Sequence, residues 1–143
     1  MNSRGFTLIE LLVTIAVIVI MATIAIPNFS SLIERNRLAA EYNNVLTGLH
    51  FARSEAVKRR GVVIAEISTD SGRWGMDVKV GADVLRTFSS TNGSIAVNDG
   101  NSGAVEFNGL GRRGSCTFPS CSISVGDKEI EINAAGNIVR PGS

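Results

Sequence analysis

Side chains able to do chemistry are sparse in this chain. His50 is the single histidine, and Cys116 and Cys121 are the two cysteines. A Ser-His or Cys-His nucleophile system would have to be assembled around His50. That residue lies beside an apolar helical stripe, where a packing or surface role is the simpler reading. Two thiols with no second pair fall short of a four-ligand zinc site, which is the rival to a disulfide. Outside the cytoplasm the pair is expected to be oxidised, pinning the Phe118-Pro119-Ser120 loop. Gly109-Leu110-Gly111-Arg112-Arg113-Gly114 fits G-x-G-x-x-G, the pattern that brings backbone amides to a pyrophosphate at a helix start. Ser115-Cys116-Thr117-Phe118-Pro119 is no helix opening, so a glycine-rich hairpin or loop is expected there instead. No catalytic residue, cofactor site or metal site emerges, and no enzyme is expected.

The most unusual group is a carboxylate. From Leu11 to Ile26 every residue is apolar except Thr14 and Thr23, and Glu10 stands at the head of that run. Residues 6–26 suffice to cross about 30 Å of hydrocarbon as a helix, and an ionised acid at mid-span costs roughly 2.5–3.5 kcal/mol. Glu10 must therefore find a partner or sit at headgroup level. A cut between Gly5 and Phe6 would place a new amino group one helical turn from Glu10, within its own chain or a neighbour's. The run leads into Ile26-Pro27-Asn28-Phe29 and a polar helical pattern rather than the small-residue cut site of a secretory signal. Arg4 ahead of the run and a mainly neutral sequence after it keep the leader cytoplasmic and the rest outside. Fourteen Lys and Arg against 13 Asp and Glu give a formal charge of +1. That balance excludes a strongly polyanion-binding composition and leaves only a local basic patch. A length of 143 residues argues against a large multidomain enzyme.

Gly5-Phe6-Thr7-Leu8-Ile9-Glu10-Leu11-Leu12 resembles the processing signature of the type IV pilin and type II secretion pseudopilin superfamily. The resemblance implies that prepilin peptidase cuts after Gly5, that Phe6 becomes the N-methylated terminus, and that Glu10 guides docking and register in the filament. It also implies a helix kink at Pro27. The implied partners are other major and minor pilins or pseudopilins, the prepilin peptidase and an inner-membrane assembly platform. The implied location is the inner membrane, single-pass with the head in the periplasm, and then the pilus or pseudopilus.

The elements that position these residues follow from periodicity. Leu38, Tyr42, Val45, Leu49, Ala52 and Ala56 form one apolar stripe along a helix. Glu34, Arg35, Arg37, Glu41, Asn44, Arg53, Glu55 and Lys58 lie opposite, a face expected to be solvated, with Glu55 and Arg59 a favourable i, i+4 pair. Gly61 is the expected stop. Short β-like runs follow at 62–67, 76–80, 84–88, 94–97, 104–107, 122–125, 129–133 and 137–140, separated by turn signals as in a meandering antiparallel sheet. The expected fold is α+β and pilin-like, a long N-terminal helix packed on an antiparallel β-sheet head. The expected organisation is a leader at 1–5, a transmembrane or filament-core helix at 6–28, an amphipathic half at 29–60 and a β-rich head at 61–143. Residues 29–143 form the soluble domain in this reading.

Arg53-Ser54-Glu55-Ala56-Val57-Lys58-Arg59, Trp74, Val84-Leu85-Arg86, Phe107-Asn108-Gly109 and Gly136-Asn137-Ile138-Val139-Arg140 look like the GspH/FimT branch of minor pilins and pseudopilins. Members of that branch prime or cap filaments, so the chain is expected to be a minor pilin of a type IV pilus, with a GspH-type minor pseudopilin of a type II secretion system and a DNA-binding minor pilin for natural transformation as the alternatives. Some members bind DNA through a C-terminal Gly-Arg-x-Arg pattern. Here the matching stretch keeps one arginine, and Arg112, Arg113 and Arg140 would have to supply the basic patch. One Trp and one Tyr offer little base stacking.

Overall fold

A single helix, α1 (Leu8–Arg59), takes up 52 residues of the chain in the computed structural model. The structure describes residues 6–70, 73–90 and 95–141, without the side chains of 25–28 and 100. The leader positions, including Gly5, lie outside the described residues. The chain divides into two units, Met1–Asn36 and Arg37–Ser143, and α1 contributes to both.

In the first unit the helix is apolar from Leu11 to Ile26 apart from Thr14 and Thr23. An 18-residue window reaches a mean hydropathy of 2.8 with none of it buried, so by length and composition α1 can cross a membrane. The two threonine hydroxyls of the apolar run are satisfied internally. Thr14 Oγ1 donates to the Leu11 carbonyl and Thr23 Oγ1 to that of Ile20, each at 2.7 Å, which removes the cost of an unpaired polar group in hydrocarbon. The helix continues through position 27; the Pro27 ring itself lies outside the described side chains.

In the second unit Tyr42, Val45, Leu49, Ala52 and Ala56 are buried, as the stripe predicts. They face a five-stranded antiparallel sheet of order β3-β2-β1-β4-β5, formed by β1 (Val63–Asp70), β2 (Arg73–Val80), β3 (Asp83–Ser89), β4 (Gly103–Phe107) and β5 (Arg113–Cys116). Alternation selects the inner face: Val63, Ala65, Ile67, Trp74, Met76, Val78, Val105 and Phe107 are buried, because successive strand side chains point to opposite faces. Small helix residues allow close approach. A Cβ at Gly48 would lie 2.6 Å from the Met76 sulfur.

Three findings depart from the sequence expectations. The first concerns the sheet. The strands do not form one meander: β4 pairs with β1 rather than with β3, and β6 (Ser122–Val125), β7 (Lys128–Ile132) and β8 (Ile138–Val139) make a second antiparallel sheet. The break falls at Pro119, which cannot donate to a ladder, followed by Ser120 and Cys121 at φ 52° and 51°. β5 went unforeseen because Arg113-Gly114-Ser115-Cys116 has no apolar alternation, and of the run at 94–97, whose first position lies outside the described residues, the described part forms an isolated bridge from Val97 to Val125.

The second concerns the polar side of the helix, which is not simply solvated. Glu41 and Glu55 are buried, Asn44 Nδ2 donates to the Ser89 carbonyl at 2.8 Å, and Arg53 Nε donates to that of Gly111 at 2.9 Å. The third concerns the helix end, which is a Schellman-type stop. Gly61 N–H reaches the Ala56 carbonyl and Arg60 N–H that of Val57, each at 3.2 Å. The left-handed residue is Arg60, at φ 51°, not the glycine.

Candidate functional site

The amino-terminal end of α1 is built around Thr7 and Glu10. Thr7 precedes the first helical residue and Glu10 stands three positions on, the spacing of a capping box. Glu10 N–H donates to Thr7 Oγ1 at 3.3 Å, while Thr7 N–H and its hydroxyl both reach Glu10 Oε2 at 3.4 Å. The box satisfies helix-start donors that hydrocarbon could not, and an acid in the first turn also complements the helix dipole. The T-x-x-E signal was legible in the sequence, and the Thr7 partnership was nevertheless missed. Phe6 is 84% exposed and Leu8 76%, so the acid lies within an uncovered apolar surface.

The two cysteines form a disulfide, with Cα atoms 5.8 Å apart. The bond does more than hold a loop. Cys116 ends β5 of the first sheet and Cys121 leads into β6 of the second, so it crosses between the sheets. Phe118, between them, is buried over Gly103, where a Cβ would collide with its ring.

The three arginines stand in different settings. Arg113 Nη1 donates to the Ile132 carbonyl at 2.8 Å, a second tie between the sheets. Arg140 has its guanidinium 5.3 Å from the centre of the Tyr42 ring, which also carries the Lys128 ammonium at 5.6 Å. Arg112 is exposed on the loop joining β4 and β5. That glycine-rich segment is the connection of a hairpin, as expected, and opens no helix. His50 is exposed on α1. Among the described residues no group of His, Cys, Asp and Glu is arranged to hold a metal.

Residues 1–26 match the prokaryotic N-terminal methylation motif, and residues 41–136, the greater part of the chain, match the family of the type II transport protein GspH. The chain belongs to the GspH family. Within the type IV pilin and pseudopilin superfamily it is of the GspH/FimT minor-pilin type, and its helix on antiparallel sheets is the pilin-like α+β fold. Similar to it is the fimbrial protein EcpC of Eikenella corrodens, 30% identical over 103 residues, which are 72% of this chain and 67% of that protein. No solved structure matches significantly. Proteins of this family are structural and non-catalytic, their processing involves prepilin peptidase, and they associate with other pilins. The methylation motif and the apolar helix are those of a membrane-anchored prepilin that later enters a filament.

Proposed function

We propose that this GspH-family protein is a minor pilin of a type IV pilus, a subunit that helps initiate or cap assembly. Glu10, the one acid at the head of the apolar, uncovered run of α1, carries the reading. Moving such a helix from lipid into a filament exchanges one apolar environment for another, so burial discriminates poorly between registers. An unpaired carboxylate does discriminate, at roughly 2.5–3.5 kcal/mol per misdocked subunit. Cutting between Gly5 and Phe6 and methylating Phe6 would supply the amine that answers it. In this reading residues 1–5 are the leader, 6–28 the membrane or filament-core helix kinked at Pro27, 29–60 the amphipathic half and 61–143 the head, held by an inner-membrane platform before assembly.

The likeness to a fimbrial protein supports the pilus, while the family's description as a type II transport protein supports a second reading, a minor pseudopilin of a secretion system. Deleting the chain separates them: loss of surface filaments with secretion intact supports the pilus, and the converse supports the pseudopilus. For the site itself, Glu10→Ala is expected to be cleaved normally and to disappear from sheared filaments. Wild-type incorporation of that variant would sink the register role.

A further inference from the structure

Three connections meet where α1 ends. β1 leaves that end, β2 returns to it, and β4, antiparallel to β1, runs toward it. Between the last turn of α1 and the loop after β4 lies a cleft of about 530 Å³, lined by Val57, Arg60, Asn108, Gly109 and Leu110.

The cleft has three features that structural economy does not require. Leu110 is 79% exposed, the most exposed large apolar side chain from 37 onward among the described residues, yet its loop is firmly held. Asn108 Oδ1 accepts from the N–H groups of Leu110 and Arg112 at 3.0 and 3.1 Å. Asn108 and Arg112 also pair through their backbones at 2.9 Å, and Gly109 is so close to Arg60 that a Cβ would lie 2.6 Å from its carbonyl carbon. A leucine held in place this way forfeits little freedom when something covers it. Arg60 is the second feature, since it occupies a left-handed position that glycine takes without strain, and strain of this kind clusters at ligand clamps and switch regions. The third is charge. Neither Arg60 nor Arg112 has a side-chain hydrogen bond or ion pair among the described residues, whereas the Glu55 carboxylate in the last turn is already engaged by Lys58 and Arg59.

We propose that this cleft docks an acidic segment of another filament subunit, with an apolar side chain seated against Val57 and Leu110 and a carboxylate beside Arg60. Arg112, at the far end of the same loop, adds to the positive field that selects an acid. The inference rests on the filament reading above and adds a surface and a partner chemistry to it.

The test uses the full-length chain in cells, with a photo-crosslinking residue in place of Leu110 and adducts mapped by mass spectrometry. A probe at Val62, just past Arg60, serves if the Leu110 replacement blocks incorporation. The expected adduct is to a different filament subunit at a segment carrying Asp or Glu. Arg60→Gly relieves the strain, so it is expected to leave the melting temperature unchanged or raised while adduct yield falls about two- to fivefold, the range of an exposed charge pair. Arg60→Lys should retain part of the yield. The proposal is overturned by an adduct to a second copy of this chain, to lipid, to DNA or to an acid-free segment, or by a yield indifferent to Arg60→Gly. Failure of the unsubstituted chain to enter filaments overturns both readings; an incorporated chain that gives no adduct overturns the cleft alone.

Discussion

Glu41 lies on the polar side of an amphipathic helix by sequence spacing and in the core by structure. It is only 3% exposed, and Trp74 Nε1 donates to its Oε2 at 2.9 Å. A buried donor left without an acceptor costs about 1–3 kcal/mol. Glu41→Leu is therefore expected to destabilise the head by that amount, and Glu41→Gln, which keeps an acceptor, by clearly less. Urea unfolding followed by the fluorescence of Trp74, the single tryptophan, measures both; equal losses would remove the hydrogen bond from the account. Gly136 is a second such position. Its φ is +80°, and a Cβ would drive into the Gly111 carbonyl. Gly136→Ala thus combines strain with a backbone clash and is expected to cost about 1–3 kcal/mol or more in the same assay.

At the scale of elements, the last turn of α1 and the joint between the sheets carry the testable consequences. Arg59 Nε lies 2.8 Å and Lys58 Nζ 3.3 Å from the Glu55 carboxylate, and both cations also favour the negative end of the helix dipole. The hydrogen bond from Arg59 is the main cause holding the Glu55 carboxyl below its ordinary value of 4.5, against the opposing effect of burial. A depressed carboxyl stabilises the fold above the unfolded value and ceases to do so as pH falls through the folded one. Comparing wild type with Glu55→Gln should therefore show a stability gap at neutral pH that closes on acidification below 4.5; a gap constant with pH would contradict this. Lys79 has the opposite sign. The hydrogen bond from its ammonium to Glu66 raises it above 10.5, so its contribution is complete below that value and is lost as pH rises through the folded one. Between the sheets, the disulfide spans only five positions, so its closure entropy is modest. Its consequence should be local. Reduction, or Cys116→Ser with Cys121→Ser, is expected to speed amide exchange in β6–β8 more than in β1–β4; uniform acceleration would count against the staple.

For the whole molecule the decisive contrast is between a unit with no buried side chain among its described residues and one with its own core. Among the described residues no member of the core cluster precedes Leu38, whereas the described large apolar side chains from Leu8 to Ile33 are exposed, a surface too extensive for a free monomer in water. The full chain is expected to need detergent. A chain trimmed to residues 29–143 should stay soluble and cooperatively folded by size exclusion and circular dichroism. Aggregation of the trimmed chain would show that the first unit is needed for folding as well as for assembly.

What could be read from the sequence was whatever neighbours along the chain decide: the apolar run behind Glu10, the stripe from Tyr42 to Ala56, most strands, the Glu55–Arg59 pair and the hairpin in the glycine-rich segment. These depend on spacing of a few residues, at periods of 3.6 and 2. The tertiary structure alone decided that β4 lies beside β1, that a second sheet begins after Pro119, that Glu41 is buried under Trp74, that Arg113 ties the sheets, and that Arg60 and Leu110 share a cleft. Each joins residues far apart in the chain, with Glu41 and Trp74 separated by 33 positions. No local pattern encodes which distant surface comes to cover a given side chain, because that depends on how the remaining elements close around it.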